Sequence, residues 1–279
     1  MEKVKIIIDS SSDLTSKEIE KYNLEVIPLT INIDGEEYDY KTIDNEEYII
    51  RMRTAKEFST SQPAIGNYIE AFEKWTKEGY KILVLTISSA LSGTYNSVLA
   101  ASSEFKDVYV VDTKTTTRGM VYLLNSAIEQ INNNIALNEV VENLKKQVKN
   151  IYTFVTIDKL DNLVKGGRLS KASALLGGLL NIKVLTQLKE TELVAIDKVR
   201  GKKKLVHSLI DHMKEVIGDR KINNISLPHS ISDEYIELIR KDIYDNFNYY
   251  IKDEDIFVTT PIISTHTGEA AVGILIELA

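Results

Sequence analysis

Cysteine is missing from all 279 positions of the sequence. Disulfide bonds, thiolate nucleophiles and cysteine-ligated metal centres are therefore excluded, and the composition fits a reducing compartment. Long apolar runs are missing too, since no stretch approaches the roughly 20 residues that a membrane-spanning helix needs. The first residues lead directly into a strand pattern and lack the apolar core of a secretion signal. We therefore expect a water-soluble, cytoplasmic protein without a membrane span.

Positive charge is in deficit. The 34 Lys and Arg residues are outnumbered by 41 Asp and Glu residues, which gives a net charge of -7. This balance argues against nucleic acid as the main partner. The length exceeds that of a common single domain, so we expect two domains. A composition shift near residues 147–151 places these domains at residues 1–150 and 151–279.

Short strand-like stretches alternate with helix-like stretches along the chain. The strand-like stretches are rich in β-branched residues and bounded by polar loops. They are residues 4–8, 26–33, 82–87, 108–111, 152–157, 183–185, 193–196, 222–227 and 256–260. Helices are predicted between them, for example at residues 205–217 and 235–247. This alternation predicts an α/β architecture with mostly parallel strands flanked by helices.

Serine and threonine residues crowd five loops, most of which follow a predicted strand. The loops are residues 10–15, 59–62, 88–94, 113–117 and 264–267. A single loop of this kind is more often a turn or a helix cap, and residues 10–15 are equally explained as a strand exit before a capped helix that begins near Thr15. Ligands of α/β proteins, however, bind outside the carboxyl ends of the strands. Several such loops together favour one shared polar site that is rich in hydrogen-bond donors.

The loop at residues 88–94 has the most specific pattern of the five. Ser92 and Thr94 can both donate to an oxyanion, and Gly93 between them lets the backbone approach a ligand. A serine hydrolase would also use such a serine, with His266 as its base, but the Gly-x-Ser-x-Gly elbow is missing. Ser92 is therefore a candidate ligand-binding residue and, in the alternative, a candidate nucleophile.

His266 stands between two threonines in the run Ser-Thr-His-Thr-Gly. An isolated histidine is most often structural. A metal site would need further ligands, and His207, His212 and His229 offer no ligand spacing. The remaining interpretations are the base of a hydrolase and an imidazole that donates to a carboxylate alongside hydroxyl groups. We favour the carboxylate donor, because it requires no activated nucleophile.

Two basic segments stand out in this acidic chain. Residues 165–171 contain Arg168 and open an apolar stretch, residues 172–185, which is most simply a buried helix. No Gly-Lys-Ser or Gly-Lys-Thr occurs, so a phosphate-binding P-loop is not supported. Residues 199–204 place Arg200 near three lysines. Such a cluster is usually a solvated surface, but it also suits the docking of an acidic partner.

Six motifs in this order resemble those of the DegV family. They are residues 9–14, 60–63, 87–95, 165–171, 199–204 and 265–268, and they span essentially the whole chain. The resemblance implies a two-domain α/β fold with mostly parallel sheets and a ligand tunnel between or beside the domains. It further implies that the tunnel holds a long-chain fatty acid and that no other cofactor or metal is needed.

The resemblance also implies roles for individual residues. The fatty acid carboxylate would be held by Thr60 or Ser61, by Ser92 with Gly93, and by His266. Arg168 and Arg200 match basic motifs of the family. They would contact a partner protein or hold an acyl phosphate.

Members of this family act as fatty-acid-binding subunits that present the bound acid to a fatty acid kinase. The resemblance therefore implies a carrier and not an enzyme, with the kinase catalytic subunit as its protein partner. Transient contact with a membrane surface is compatible with this role. Two alternatives from other classes stay open. They are a serine-dependent acyl hydrolase that uses Ser92 and His266, and a protein that binds a small phosphorylated metabolite at the same loops.

Three segments depart from the family pattern. Residues 189–192 lack the Asp-Gly turn that is common in the family, which suggests only a different hairpin. Ala90 replaces a usual glycine, which matters only if the backbone there needs a positive φ. Glu269 follows the Thr-His-Thr-Gly run. Its carboxylate would oppose a bound carboxylate unless it points to solvent or caps a helix at residues 270–273.

Overall fold

The computed structural model describes residues 2–38, 43–169 and 182–279. Helices and strands alternate along these ranges. The strands are β1 (Val4–Asp9), β2 (Glu25–Ile27), β3 (Thr30–Ile33), β4 (Glu36–Tyr38), β5 (Phe58–Ser61), β6 (Lys81–Thr86), β7 (Val108–Asp112), β8 (Ile151–Ile157), β9 (Ile182–Leu188), β10 (Leu193–Arg200), β11 (Ile222–His229), β12 (Ile256–Val258) and β13 (Val272–Leu278). The α-helices are α1 (Ser16–Lys21), α2 (Asn45–Met52), α3 (Ile65–Lys77), α4 (Thr94–Ser102), α5 (Arg118–Asn132), α6 (Leu137–Gln147), α7 (Asp161–Lys165), α8 (Lys202–Ile217), α9 (Asp233–Phe247) and α10 (Pro261–Thr267).

The first half of the chain forms a four-stranded sheet with the order β2-β1-β6-β7, in which every neighbouring pair is parallel. Its central strands are almost continuous apolar runs, because both faces are covered by helices. Helices α5 and α6 pack on one face. Helices α3 and α4 pack on the other. The predicted α/β arrangement with parallel strands is confirmed for this sheet.

A six-stranded sheet with the order β10-β9-β8-β13-β11-β12 comes from residues 151–278. Only β11 and β12 pair in parallel, and the other four pairs are antiparallel. The prediction of mostly parallel strands is therefore wrong for this sheet. The short turn at residues 189–192 joins β9 to β10 as a hairpin, which forces antiparallel pairing. In addition, β13 inserts between β8 and β11, and it occupies part of the range considered for a helix at residues 270–273.

A three-stranded antiparallel sheet with the order β4-β3-β5 completes the fold. Residues 26–33, predicted as one strand, are divided between β2 and β3, which belong to different sheets. Pro28 lies at the division. Its missing N–H and fixed φ disfavour a continuous ladder there. Residues 59–62, predicted as a loop, lie mostly within β5.

The predicted domain boundary coincides with a change of sheet. The division at residues 150 and 151 matches the change from the parallel to the six-stranded sheet. One core, however, unites Leu29 and Tyr48 with Ile262 from the other half, so the two-domain division stays a prediction. Most of the predicted buried helix at residues 172–185 lies outside the described residues. Its last four residues begin β9, so the helix prediction is wrong for them. Within the described ranges, every helix is too short or too polar to cross a lipid bilayer.

Candidate functional site

A largely apolar cavity is lined by residues from both halves of the chain. It is partly open to solvent, and the space within it and at its mouth, including solvent-open volume, is about 840 Å³. Its walls include aliphatic side chains of several elements and loops: Leu29, Ile87, Val155, Leu163, Leu188 and Ile262. The polar groups on its border include Thr60, Ser61, Gln62, Ser92, Arg168 and His266. Four of the predicted carboxylate ligands therefore border one cavity, together with one of the two predicted arginines.

The closest contact among the predicted ligands joins Thr60 and His266. The Oγ1 atom of Thr60 lies 2.7 Å from Nε2 of His266. Side chains alternate along β5, so Thr60 is half-buried while the next residue, Ser61, is exposed at the border of the cavity. Of the two candidates at this strand, Thr60 is the one bonded to the histidine.

His266 lies on a helix and not in the loop predicted at residues 264–267. Pro261 is the first residue of α10, where its fixed φ suits a helix start. Thr265, the residue before His266, makes contacts with two other helices. Its Oγ1 atom lies 2.6 Å from the hydroxyl of Tyr48, and its carbonyl accepts a hydrogen bond of 3.0 Å from the amide of Asn162. These contacts fix the direction in which His266 leaves the helix.

The environment of His266 keeps its imidazole neutral at physiological pH. Burial lowers its pKa from the usual 6.5 to about 4, and the positive charge of Arg168 acts in the same direction. A neutral imidazole carries one N–H donor and one acceptor nitrogen. His266 can therefore share a single proton with a hydroxyl partner.

Ser92 and Gly93 lie just before α4, at the carboxyl side of β6. The Oγ atom of Ser92 is 2.8 Å from Oγ1 of Thr94 and accepts a hydrogen bond from the Thr94 N–H at 3.3 Å. Gly93 is not among the described residues that border the cavity. A Cβ atom at Gly93 would lie 2.5 Å from Oε1 of Gln62. The glycine therefore leaves space for the side chain of Gln62, which borders the cavity.

The described residues show no hydrogen bond between Ser92 and His266. The serine hydroxyl pairs with Thr94, and the imidazole pairs with Thr60. A nucleophilic serine needs a base within hydrogen-bond reach. The arrangement therefore offers no observation in favour of the hydrolase alternative.

The two predicted arginines lie in different places. Arg168 borders the cavity, where its guanidinium donates to the carbonyl oxygens of Leu91 at 3.3 Å and Gly166 at 2.5 Å. Arg200 ends β10 and is exposed. It borders a shallow surface depression together with Lys202, Lys203 and Lys204.

The loop at residues 10–15 does not border the same cavity, so the prediction that all five hydroxyl loops share one site is wrong. Residues 10–12 form a short 3₁₀ helix, and Thr15 caps α1 in a capping box with Glu18. This loop borders a second, solvent-open cavity of about 1610 Å³, whose lining includes Asp13, Glu18 and Arg118. The interpretation of this loop as a strand exit before a capped helix is confirmed.

Two of the departures from the family pattern, Ala90 and Glu269, have simple structural outcomes. Ala90 is not among the residues with positive φ, so its side chain causes no backbone strain. Glu269 forms an ion pair with Arg53, including a hydrogen bond of 3.1 Å from Nε to Oε2. Its carboxylate is therefore neutralised by a neighbour and is not among the described residues that border the cavity.

Several residues at the cavity escaped the sequence analysis. Leu163, Leu188 and Leu193 are separated in sequence, and nothing in their local pattern marks them as neighbours. Gly166 was noticed only as part of a basic segment, although it lies against His266. Among the described residues, no group of three or more His, Asp or Glu side chains is placed to hold a metal ion.

Comparison with known proteins places the chain in a family. A family model described as "Uncharacterised protein, DegV family" matches residues 3–279. The chain is 36% identical over 278 residues to a DegV domain-containing protein of Staphylococcus aureus, and the match covers 99% of both chains.

Solved structures agree with this match. A structure described as a DegV lipid-binding protein from Thermotoga maritima is 32% identical, with a TM-score of 0.83 over 99% of this chain and 98% of that one. A fatty-acid-binding DegV family protein from Streptococcus agalactiae is 28% identical, with a TM-score of 0.89 over 99% of each chain. The protein described above belongs to the DegV family.

Proposed function

We propose that this protein binds one long-chain fatty acid and presents its carboxylate to a fatty acid kinase. The acyl chain would occupy the apolar cavity, and the carboxylate would lie near Thr60, Ser92 and His266. The observation that carries the proposal is the placement of a hydrogen-bonded threonine–histidine pair at the border of a largely apolar cavity. The relatives described as lipid-binding and fatty-acid-binding support the same ligand class.

The polar border of the cavity suits a carboxylate that has to remain available for phosphorylation. Thr60 and Ser92 offer hydroxyl groups, and hydrogen bonds from such donors to a carboxylate are charge-assisted. No Asp or Glu is among the described lining residues, so no fixed negative charge opposes the ligand. Neutral donors can hold one carboxylate oxygen without a permanent ion pair and leave the other available for phosphorylation.

The apolar walls would supply most of the binding free energy. Each buried methylene contributes about 0.8 kcal/mol, so a long acyl chain gains several kcal/mol from burial alone. A small phosphorylated metabolite would leave these aliphatic walls without a partner, so the cavity favours the fatty acid.

The basic cluster around Arg200 is the proposed docking surface for the kinase. Arg200, Lys203 and Lys204 add positive charge to one exposed surface of an acidic protein. Complementary charge on a partner speeds encounter and fixes orientation. Arg168, at the cavity, is proposed to stabilise the acyl phosphate that the kinase would produce.

Native mass spectrometry of the purified protein, followed by denaturation and identification of the released molecule, tests the ligand class. A single adduct with the mass of a long-chain fatty acid is expected. A bare chain that also fails to take up added fatty acid would reject the proposal. Competition by inorganic phosphate but not by fatty acids would instead favour the metabolite alternative.

The carrier role needs a second assay. The bound fatty acid should become phosphorylated when a fatty acid kinase catalytic subunit and ATP are added. Hydrolysis of a chromogenic acyl ester that disappears in Ser92→Ala would contradict the carrier role and support the hydrolase. Location in the cytoplasm and transient contact with a membrane surface are further parts of the proposal.

A further inference from the structure

Gly166, at the end of α7, lies directly against the imidazole of His266. A Cβ atom built at residue 166 would be 2.3 Å from Nδ1 and 3.0 Å from Cε1 of that ring. Ordinary van der Waals contact begins near 3.4 Å. Any side chain at position 166 would therefore have to push the ring aside by about 1 Å.

The backbone at this position does not itself require glycine. Gly166 has φ -72° and ψ -13°, in the right-handed helical region where alanine is favourable. The next residue, Gly167, shows the opposite case. It has a φ of +66° and nothing within 4 Å of a built Cβ, so glycine there serves the backbone. The reason for glycine at position 166 is thus the space that His266 occupies.

The two nitrogens of His266 have different surroundings. Nε2 lies 2.7 Å from Oγ1 of Thr60. Nδ1 is buried against Gly166 and has no hydrogen-bond partner among residues 2–38, 43–169 and 182–279. A buried N–H without an acceptor is rarer and more costly than a lone pair without a donor. The proton of the neutral ring therefore belongs on Nε2.

We propose that Gly166 is a positioning residue, which holds His266 as the Nε2-protonated tautomer with its N–H directed at Thr60. Thr60 then accepts from the imidazole and keeps its own O–H proton free. That proton is the donor for the ligand carboxylate, so His266 acts on the ligand through Thr60. The identity of the ligand rests on the proposed function, whereas the packing and the tautomer do not.

Nitrogen-15 NMR of the unliganded protein, with labelled histidine, tests the tautomer without any variant. Long-range correlations distinguish a protonated from an unprotonated ring nitrogen. We expect the signals of His266 to show protonated Nε2 and bare Nδ1 at neutral pH. A dominant Nδ1-protonated form would overturn the proposal, whether or not the protein binds fatty acids.

Gly166→Ala tests the positioning role, and Gly66→Ala is its matched control. Gly66 lies on α3 with no atom within 4 Å of a built Cβ. We expect Gly166→Ala to shift the His266 signals and to weaken fatty acid binding by about tenfold or more, as for a disturbed partner of a charged group. Gly66→Ala should change neither.

The outcomes separate this inference from the proposed function. Unchanged His266 signals in Gly166→Ala would overturn the positioning role, even if affinity fell. If the unaltered protein binds no fatty acid, the proposed function fails while the NMR signals still decide the positioning role. Should Gly166→Ala not fold, the tautomer of the unaltered protein decides the proposal.

Discussion

The apolar cavity and the second, solvent-open cavity both border hydroxyl-rich loops, yet they differ in their charged neighbours. Four acidic residues are among those that line the second cavity: Asp13, Glu18, Glu254 and Asp255. The apolar cavity has no Asp or Glu among its described lining residues. Hydroxyl groups alone therefore do not identify an anion site, because the charges beside them decide which ligand they suit.

The polar groups of the second cavity are largely engaged with one another. Glu18 forms an ion pair of 2.8 Å with Arg118. Asp13 accepts hydrogen bonds from the hydroxyl of Thr259 at 2.7 Å and the N–H of Thr260 at 2.9 Å. These contacts join α1 to α5 and the loop after β1 to the loop after β12. These contacts give this region a role in joining elements of the fold.

The largest expected difference between the cavities lies in the pH dependence of stability. The pKa of His266 is lowered to about 4 by burial, so the unfolded chain takes up its proton at a higher pH than the folded protein. The stability that this group contributes is present above pH 6.5 and is lost as the pH falls toward 4, with a total of up to about 3 kcal/mol. Burial raises the pKa of Asp13 at the second cavity, so the folded protein binds this proton more tightly than the unfolded chain. The contribution of Asp13 to the free energy of unfolding is therefore lost as the pH rises, opposite to that of His266.

Urea unfolding between pH 7 and pH 4 measures this effect. The free energy of unfolding should fall more steeply in the unaltered protein than in His266→Asn. Parallel curves for the two proteins would contradict the burial of a neutral His266.

The next largest effect concerns ligand affinity. Ser92→Ala and His266→Ala should each weaken fatty acid binding by about 1–3 kcal/mol, the range for a lost partner of a buried charged group. His207→Ala is the control, because its side chain is 78% exposed on α8. Displacement of a fluorescent fatty acid gives the affinities. Unchanged affinity in both Ser92→Ala and His266→Ala would reject the headgroup site.

A smaller effect is expected at the basic cluster. Arg200→Ala should slow phosphorylation of the bound fatty acid by about tenfold at limiting kinase, since charges at the rim of an interface mainly affect association. Fatty acid affinity should not change, because Arg200 is not among the residues that border the apolar cavity. Lys145→Ala, on the exposed face of α6, is the control. Equal rates for Arg200→Ala and the unaltered protein would place the docking surface elsewhere.

The smallest effect tests the structural role of the loop beside the second cavity. Thr15→Ala removes the capping box with Glu18 and should lower the free energy of unfolding by about 1 kcal/mol. Fatty acid affinity should stay the same. A parallel loss of affinity, measured by the same displacement assay, would show that this region contributes to the ligand site after all.

The sequence predicts the parallel sheet well and the antiparallel one less well, for a physical reason. Strands such as β1 and β6 are short, apolar and followed by polar loops, so local pattern suffices to identify them. The direction of a strand depends on the partner that it finds. β13 pairs with β8 and β11 across long stretches of chain, and nothing local encodes this arrangement.

Prediction of the site from the sequence has the same limit. Ser92 and His266 are predicted from local patterns, the Ser-Gly-Thr run and the threonine-flanked histidine, together with the resemblance to the DegV family. The contact of Thr60 with His266 joins residues that are 206 positions apart, and the space below the imidazole depends on Gly166 of another helix. Such a contact is a product of the tertiary fold. Motif resemblance anticipated its members but not the bond between them.

A crystal structure of the protein with a bound long-chain fatty acid tests the central claim most directly. The account predicts the acyl chain in the apolar cavity, with the carboxylate within hydrogen-bond distance of Thr60 and Ser92. A carboxylate beside Arg118 in the second cavity, or an acyl chain outside the apolar cavity, would contradict it.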